Sequence, residues 1–260
     1  MSILRLQVFL SRNGVSSRRR AFVLIQEGRV AVNGQVNREP STPIDPVKDD
    51  VMVDGKRIEA KVFNYVMLNK PKGYVTTRFD RFADKTVYDL LPKEYQHLVP
   101  VGRLDKDTEG LLLLTNDGDL VYRLTHPKHN IDKIYFVRLD GILNDLQKKQ
   151  IEQGVVLEGK KTAPAKIHNM AVIASDRRER SNLNDCFVAN APRNDNRTQT
   201  ELKITIHEGR KRQVRLMFGK VGLKVVYLQR VSQGPLLLEK LSLGQIRPLT
   251  ENEVVQLKKI

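Results

Sequence analysis

Three carboxylates fall within five residues of this chain, Asp105, Asp107 and Glu109, in the stretch Gly102-Arg-Leu-Asp-Lys-Asp-Thr-Glu-Gly110. Carboxylates so spaced can act as general acids and bases, as nucleophiles, or as ligands of a hard cation. Asp105-Lys-Asp107-Thr108 has the aspartate-x-aspartate-x-threonine spacing that metal-dependent phosphohydrolases use for a nucleophile and an acid. That use calls for a strongly apolar strand just before it, and Val101-Gly-Arg-Leu104 is interrupted. Other reactive types are sparse. Cys186 is the only cysteine, which excludes an intramolecular disulfide and fits a reducing compartment. His126 and His129 flank Pro127, but no further Cys or His joins them, so no zinc site is expected.

The elements that must hold these carboxylates follow directly. Leu111-Leu112-Leu113-Leu114 is an apolar run of the length of a buried strand. Thr115 to Gly118 make a turn and a helix start. The acidic groups therefore sit on a loop anchored to a rigid strand, where catalytic groups are commonly placed. The surrounding charge is positive: 45 Lys and Arg against 30 Asp and Glu, a net +15. A polyanionic partner fits that balance. No run approaches the roughly 18 apolar residues of a membrane span, and the N-terminus lacks a signal segment.

The basic residues are concentrated twice. Residues 1–20 carry Arg5, Arg12, Arg18, Arg19 and Arg20 and no acid. Residues 201–230 carry eight Lys and Arg against two acids. In the first region Leu6, Phe9 and Leu10 have helical spacing, with Gly14 to end the helix. Ser16 or Ser17 can cap a second helix with Ala21, Leu24 and Ile25 inward, and Gly28 stops it. Asn33-Gly34 and Asp54-Gly55 are hairpin turns between alternating segments.

Further along, Val66-Met67-Leu68 begins a strand and Tyr74 to Thr77 are β-prone. A helix is expected over 118–125, a strand over 132–139, and an amphipathic helix over 142–153 with Ile142, Leu143, Leu146 and Ile151 inward. More strands are expected over 155–157, 163–172 and 202–206, and a helix over 211–218. Residues 175–198 are polar, mixed in charge, and read as a surface insertion.

Two resemblances gather these pieces. Arg5-Leu6, Leu10, Gly14, Ser17-Arg18-Arg19, Leu24-Ile25, Gly28-Arg29-Val30, Val32-Asn33-Gly34 and Val53-Asp54-Gly55 resemble the S-four RNA-binding domain over about 4–60. The resemblance implies RNA contacts from Arg12, Ser17, Arg18, Arg19, Arg29 and Asn33. Leu68-Asn-Lys-Pro-Lys-Gly73, Gly102 to Leu114, Lys133-Ile-Tyr135 and Glu208-Gly-Arg-Lys-Arg-Gln-Val-Arg215 together resemble the rRNA pseudouridine synthases, in the branch of small-subunit synthase A and large-subunit synthases B, E and F.

That second resemblance implies Asp105 as the catalytic aspartate, Tyr135 stacking on the target base and helping with protons, and Arg215 paired with the aspartate. It implies substrate contacts from Arg103, which helps hold the nucleotide out of its stack, from the apolar Leu228, and from Lys70 and Lys133. Asp107 and Glu109 are read as structural. The implied fold is α+β: a small S-four-type domain at 1–60, a linker at 61–65, and at 66–260 a mixed, mainly antiparallel sheet with flanking helices, interrupted by 175–198. The implied reaction is isomerisation of a uridine in ribosomal RNA, more in keeping with the large subunit, by a cytoplasmic monomer with neither metal nor cofactor. Two alternatives stay open: small-subunit RNA as substrate, and a non-catalytic rRNA-binding assembly factor.

Overall fold

The four-leucine run lies at the centre of a strand, Glu109–Thr115, that is buried along its whole length. Everything near the acidic loop is built outward from it. A computed structural model of the chain describes residues 3–59, 63–173 and 198–260. All of the 175–198 insertion except Thr198 lies outside those residues, as do 61 and 62 of the expected linker. The chain divides into two compact units, Met1–Asn64 with Asn116–Gly118, and Tyr65–Thr115 with Asp119–Ile260.

In the first unit the helices Leu6–Arg12 and Arg18–Gln26 bury the apolar faces read from their spacing. Leu6, Phe9, Leu10, Ala21, Leu24 and Ile25 share one core with Val30, Ile44, Val51 and Val53. A four-stranded antiparallel sheet runs in the order Gln35–Asn37, Val30–Val32, Val51–Val53, Lys56–Arg57. Its two tight turns use Asn33-Gly34 and Asp54-Gly55, all four at positive φ, as a type I′ hairpin requires.

The second unit is organised on a nine-stranded sheet. The main path runs Lys166–Ile173, Gln199–Ile206, Lys133–Asp140, Lys224–Gln233, Glu109–Thr115, Tyr65–Lys70, Ile246–Pro248. Every pairing is antiparallel except that between Lys224–Gln233 and Glu109–Thr115. With helices beside this sheet, the class is α+β with a mixed, mainly antiparallel sheet.

Several local expectations need correction. Tyr74 to Thr77 form no strand; Val75 makes only an isolated bridge to Thr86. The amphipathic helix is shorter, Asp145–Glu152, because Asn144 and Gln147 form a capping box at its start. Leu143 and Ile151 are buried as expected, but Ile142 and Leu146 are exposed. The helix expected over 211–218 is displaced to Gln213–Lys220. The longest strand, Lys224–Gln233, and the C-terminal helix Glu251–Lys258 were covered by no expectation.

Candidate active site

Asp105 is placed by a loop whose backbone is tied at four points. Thr76 Oγ1 donates to Leu104 O at 2.8 Å and accepts from Leu104 N at 3.2 Å. Gly73 N donates to Lys106 O, and Thr108 N to Asp105 O. Lys70 supplies the fourth tie from beneath. Its ammonium donates to Pro71 O (3.0 Å), Asp105 O (3.1 Å) and Thr108 O (2.8 Å).

This corrects the expected role of Lys70. The side chain has no exposed surface, its donors are spent on carbonyls, and it shapes the loop without facing substrate. Burial pushes its pKa down to about 8, against the attraction of Glu109, Asp107 and Asp105. Lys133 needs the same correction. It is buried, donates to Ile131 O and His207 O, and is likewise pushed down to about 8 by burial, with the charge of Arg230 adding to the effect.

The strand register shows why the loop leaves the sheet where it does. Lys70, Gly110, Arg230, Tyr135 and Ile204 lie opposite one another across five strands. At Gly110, φ +109°, an added Cβ would stand 2.3 Å from Arg230 O and 2.6 Å from Arg230 N. Only glycine allows the one parallel pairing to approach this closely. Arg230 is 1 % exposed, donates through Nε to Leu111 O at 2.8 Å, and keeps one buried Nη without a hydrogen-bond partner among the described residues. Sequence reasoning assigned it no role, although an arginine inside the apolar pattern Val-Val-Tyr-Leu-Gln-Arg-Val is a visible signal.

The three carboxylates have different surroundings. Asp105 is half-buried, and its carboxylate makes no hydrogen bond or ion pair among the described residues. Its pKa is raised, chiefly by burial and further by Asp107, while Arg212, Arg215 and Arg103 oppose the rise. The arginines reduce the burial effect without cancelling it.

Asp107 is enclosed by cations. Arg212 grips it with two hydrogen bonds of 3.0 Å, and Arg215 Nε lies 3.2 Å from its Oδ2 without hydrogen-bond alignment. Burial acts to raise its pKa, but the Arg212 hydrogen bond and both arginine charges carry it below the ordinary value. Glu109 faces elsewhere and accepts the Tyr227 hydroxyl at 2.7 Å.

The expected Arg215–Asp105 pair is therefore corrected: the ion pair of Arg215 is with Asp107. Its two Nη groups donate to Asp107 O and Val225 O, both at 2.9 Å, which pins the loop to the strand Lys224–Gln233. It acts on Asp105 only through space. Arg212 was missed by sequence reasoning; it adopts a left-handed backbone, φ +53°, immediately before the helix Gln213–Lys220.

Tyr135 and Leu228 are brought together. Val137 lies opposite Leu228 and Tyr135 opposite Arg230, so Tyr135 and Leu228 share one face of the sheet. Both belong to the apolar cluster that contains Leu104, the neighbour of Asp105. Arg103 is exposed.

In the first unit the expected RNA contacts fare unevenly. Arg18 and Arg19 are exposed on their helix and Arg12 is half-buried. Ser17 is committed as a helix cap, accepting from Arg20 N. Arg29 is held by Asp54 at 2.8 and 2.6 Å. Asn33 spends both ends of its amide on Asp49 and the Asp50 N–H. Ser17, Arg29 and Asn33 thus shape the module in this structure and do not present unpaired groups.

A half-buried carboxylate with a raised pKa stands on the loop before a central strand of a mixed sheet, in a chain that also carries a small basic module. Residues 64–220 match the family described as RNA pseudouridylate synthase, and residues 4–51 match the S4 domain. Ribosomal large subunit pseudouridine synthase B of Bacillus subtilis (strain 168) is 38 % identical over 254 residues, spanning 98 % of this chain and 95 % of that protein. An uncharacterised RNA pseudouridine synthase of Aquifex aeolicus (strain VF5) is 40 % identical over 261 residues, spanning 100 % and 95 %. A solved pseudouridylate synthase superposes with TM-score 0.62 at 32 % identity, covering 98 % of this chain and 99 % of the other. The chain belongs to the RNA pseudouridine synthase family, and it carries an S4 domain at its N-terminus.

Proposed function

We propose that this enzyme isomerises a uridine of large-subunit ribosomal RNA, with Asp105 as the essential carboxylate acting on a base turned out of its stack. The observation that carries the reading is Asp105 itself: half-buried, unpaired among the described residues, and raised in pKa by burial. The large-subunit substrate is supported by the name of the Bacillus subtilis relative. We assign residues 1–60 to RNA docking and 66–260 to catalysis, in a cytoplasmic monomer.

The chemistry asks little of the protein. The bond from C1′ to N1 breaks, the base turns, and a bond from C1′ to C5 forms. C5 gives up its proton and N1 takes one up, so no oxidant and no acceptor is needed. One carboxylate suffices, as nucleophile or as proton carrier. Extruding the base costs a few kcal/mol. Stacking against Tyr135 contributes about 1–3 kcal/mol in return, and phosphate contacts from the basic clusters offset the remainder.

The test is tritium release from RNA labelled at uridine C5, on separate small- and large-subunit transcripts and on precursor particles. Release from the large-subunit substrate is expected, with Asp105→Asn inactive and its RNA affinity within about threefold of wild type, since a carboxamide keeps the volume and little is lost at the surface. Normal turnover by that variant overturns the assignment. Silence on every substrate returns the chain to the assembly-factor reading.

A further inference from the structure

Near the turn at Gly102, aromatic rings and cations share one exposed surface. The helix Gly118–Thr125 buries Leu120 and Leu124 and leaves Tyr122 47 % exposed. The short turn Pro127–His129, closed by Asn130 at φ +48°, brings His126, Lys128 and His129 back against that ring. Ring centroids are 4.9 Å apart for Tyr122 and His126, 5.7 Å for Tyr122 and His129, and 6.4 Å for the two histidines. The Lys128 ammonium stands 4.9 Å over the Tyr122 ring.

The hydrogen bonding leaves donor capacity. His126 Nδ1 accepts from Lys128 N, so the proton of the neutral ring sits on Nε2. His129 Nε2 is enclosed and has no hydrogen-bond partner among the described residues. The charges acting on His129, after burial, are all cationic: Lys128, His126 and Arg123.

The helix has no packing need for this cluster, because its core contacts come from Leu120 and Leu124. Exposed rings beside the Lys128 ammonium match an unpaired nucleobase and its phosphate. The location also fits. Thr125 Cγ2 lies 3.6 Å from where a Cβ on Gly102 would be, so this surface flanks the turn that leads through Arg103 to Asp105.

We propose that Tyr122, His126, Lys128 and His129 form a stacking site for one unpaired nucleotide of the RNA that reaches the Asp105 loop. The base takes the place of Lys128 over the tyrosine ring, and the displaced ammonium meets the adjoining phosphate. The proposal rests on the reading of the Asp105 loop as an RNA-directed site, but not on the reaction performed there.

The test is fluorescence anisotropy of the full chain with a short labelled single-stranded RNA of mixed sequence and with its fully paired duplex. Tyr122→Ala is expected to weaken single-strand binding about tenfold, the order of losing one stacked base. Tyr122→Phe keeps the π-face and stays within about twofold. Duplex affinity is unchanged in both. Wild-type affinity of Tyr122→Ala for the single strand, or an equal loss on the duplex, overturns the proposal. Should Tyr122→Ala fail to fold, photocrosslinking of wild type to the same strand carrying iodouridine decides: adducts within 122–129 support the site, and adducts only elsewhere refute it. Tritium release by wild type is read separately, so failure of the stacking site and failure of the proposed reaction remain distinguishable.

Discussion

Asp105 and Asp107 are two positions apart and are held with opposite pKa displacements. Burial raises the first, and a two-pronged arginine grip lowers the second. In the proposed reaction such divergence would leave Asp105 as the carboxyl able to exchange a proton and Asp107 as a fixed anion. The sign for stability follows. A carboxyl with a raised folded-state pKa contributes most below its ordinary value, and that contribution is lost as pH rises through the folded value. Asp105→Asn should therefore raise the thermal midpoint at neutral pH, measured by differential scanning calorimetry. Arg212 opposes the rise at Asp105. Arg212→Gln should move the acid limb of the pH–rate profile to higher pH, and an unmoved limb would show that Asp105 does not set it.

At the scale of elements, the loop depends on what lies under it. Gly110 permits the parallel contact with Arg230, and a methyl group there would meet backbone atoms that have nowhere to go. Gly110→Ala is expected to cost more than about 3 kcal/mol, the range of strained or overpacked core changes, read from the urea midpoint. Lys70 beneath the loop provides a pH signature. Its folded pKa of about 8 lies below the ordinary 10.5, so between these values the unfolded chain holds the proton more tightly. Unfolding free energy should then rise with pH across that window by up to about 3 kcal/mol, and Lys70→Met should remove that part of the rise. Denaturation of both proteins at each end of the window checks it.

For the whole molecule, the division into two compact units makes the proposed assignment of docking to one and chemistry to the other open to test. A chain lacking residues 1–60 should keep the catalytic fold by circular dichroism. It should bind ribosomal RNA at least about tenfold more weakly, with a shallower dependence of affinity on salt, because it releases fewer counterions. Unchanged affinity at physiological salt would remove the docking role from the N-terminal unit. Among the described residues no helix is long and apolar enough to cross a membrane. The chain carries a net charge of +15, and Arg18 and Arg19 are among its exposed cations.

By itself the sequence determined the family and the first unit's helices and turns, and it singled out the acidic loop on its buried strand. These are local signals: the spacing of apolar residues, an Asn-Gly turn, a run of motif residues unbroken along the chain. Tertiary structure decided what depends on strand register and burial. The register set Lys70, Gly110 and Arg230 in one row with Tyr135, although 160 positions separate Lys70 from Arg230 in the chain. It turned the lysines of two motifs inward to hold carbonyls, and it gave Arg215 to Asp107 instead of Asp105. A charged side chain is equally legible in sequence whether it meets solvent, substrate or a neighbouring backbone. Only the fold fixes which of these lies within hydrogen-bonding distance, and burial then sets the sign of each pKa displacement.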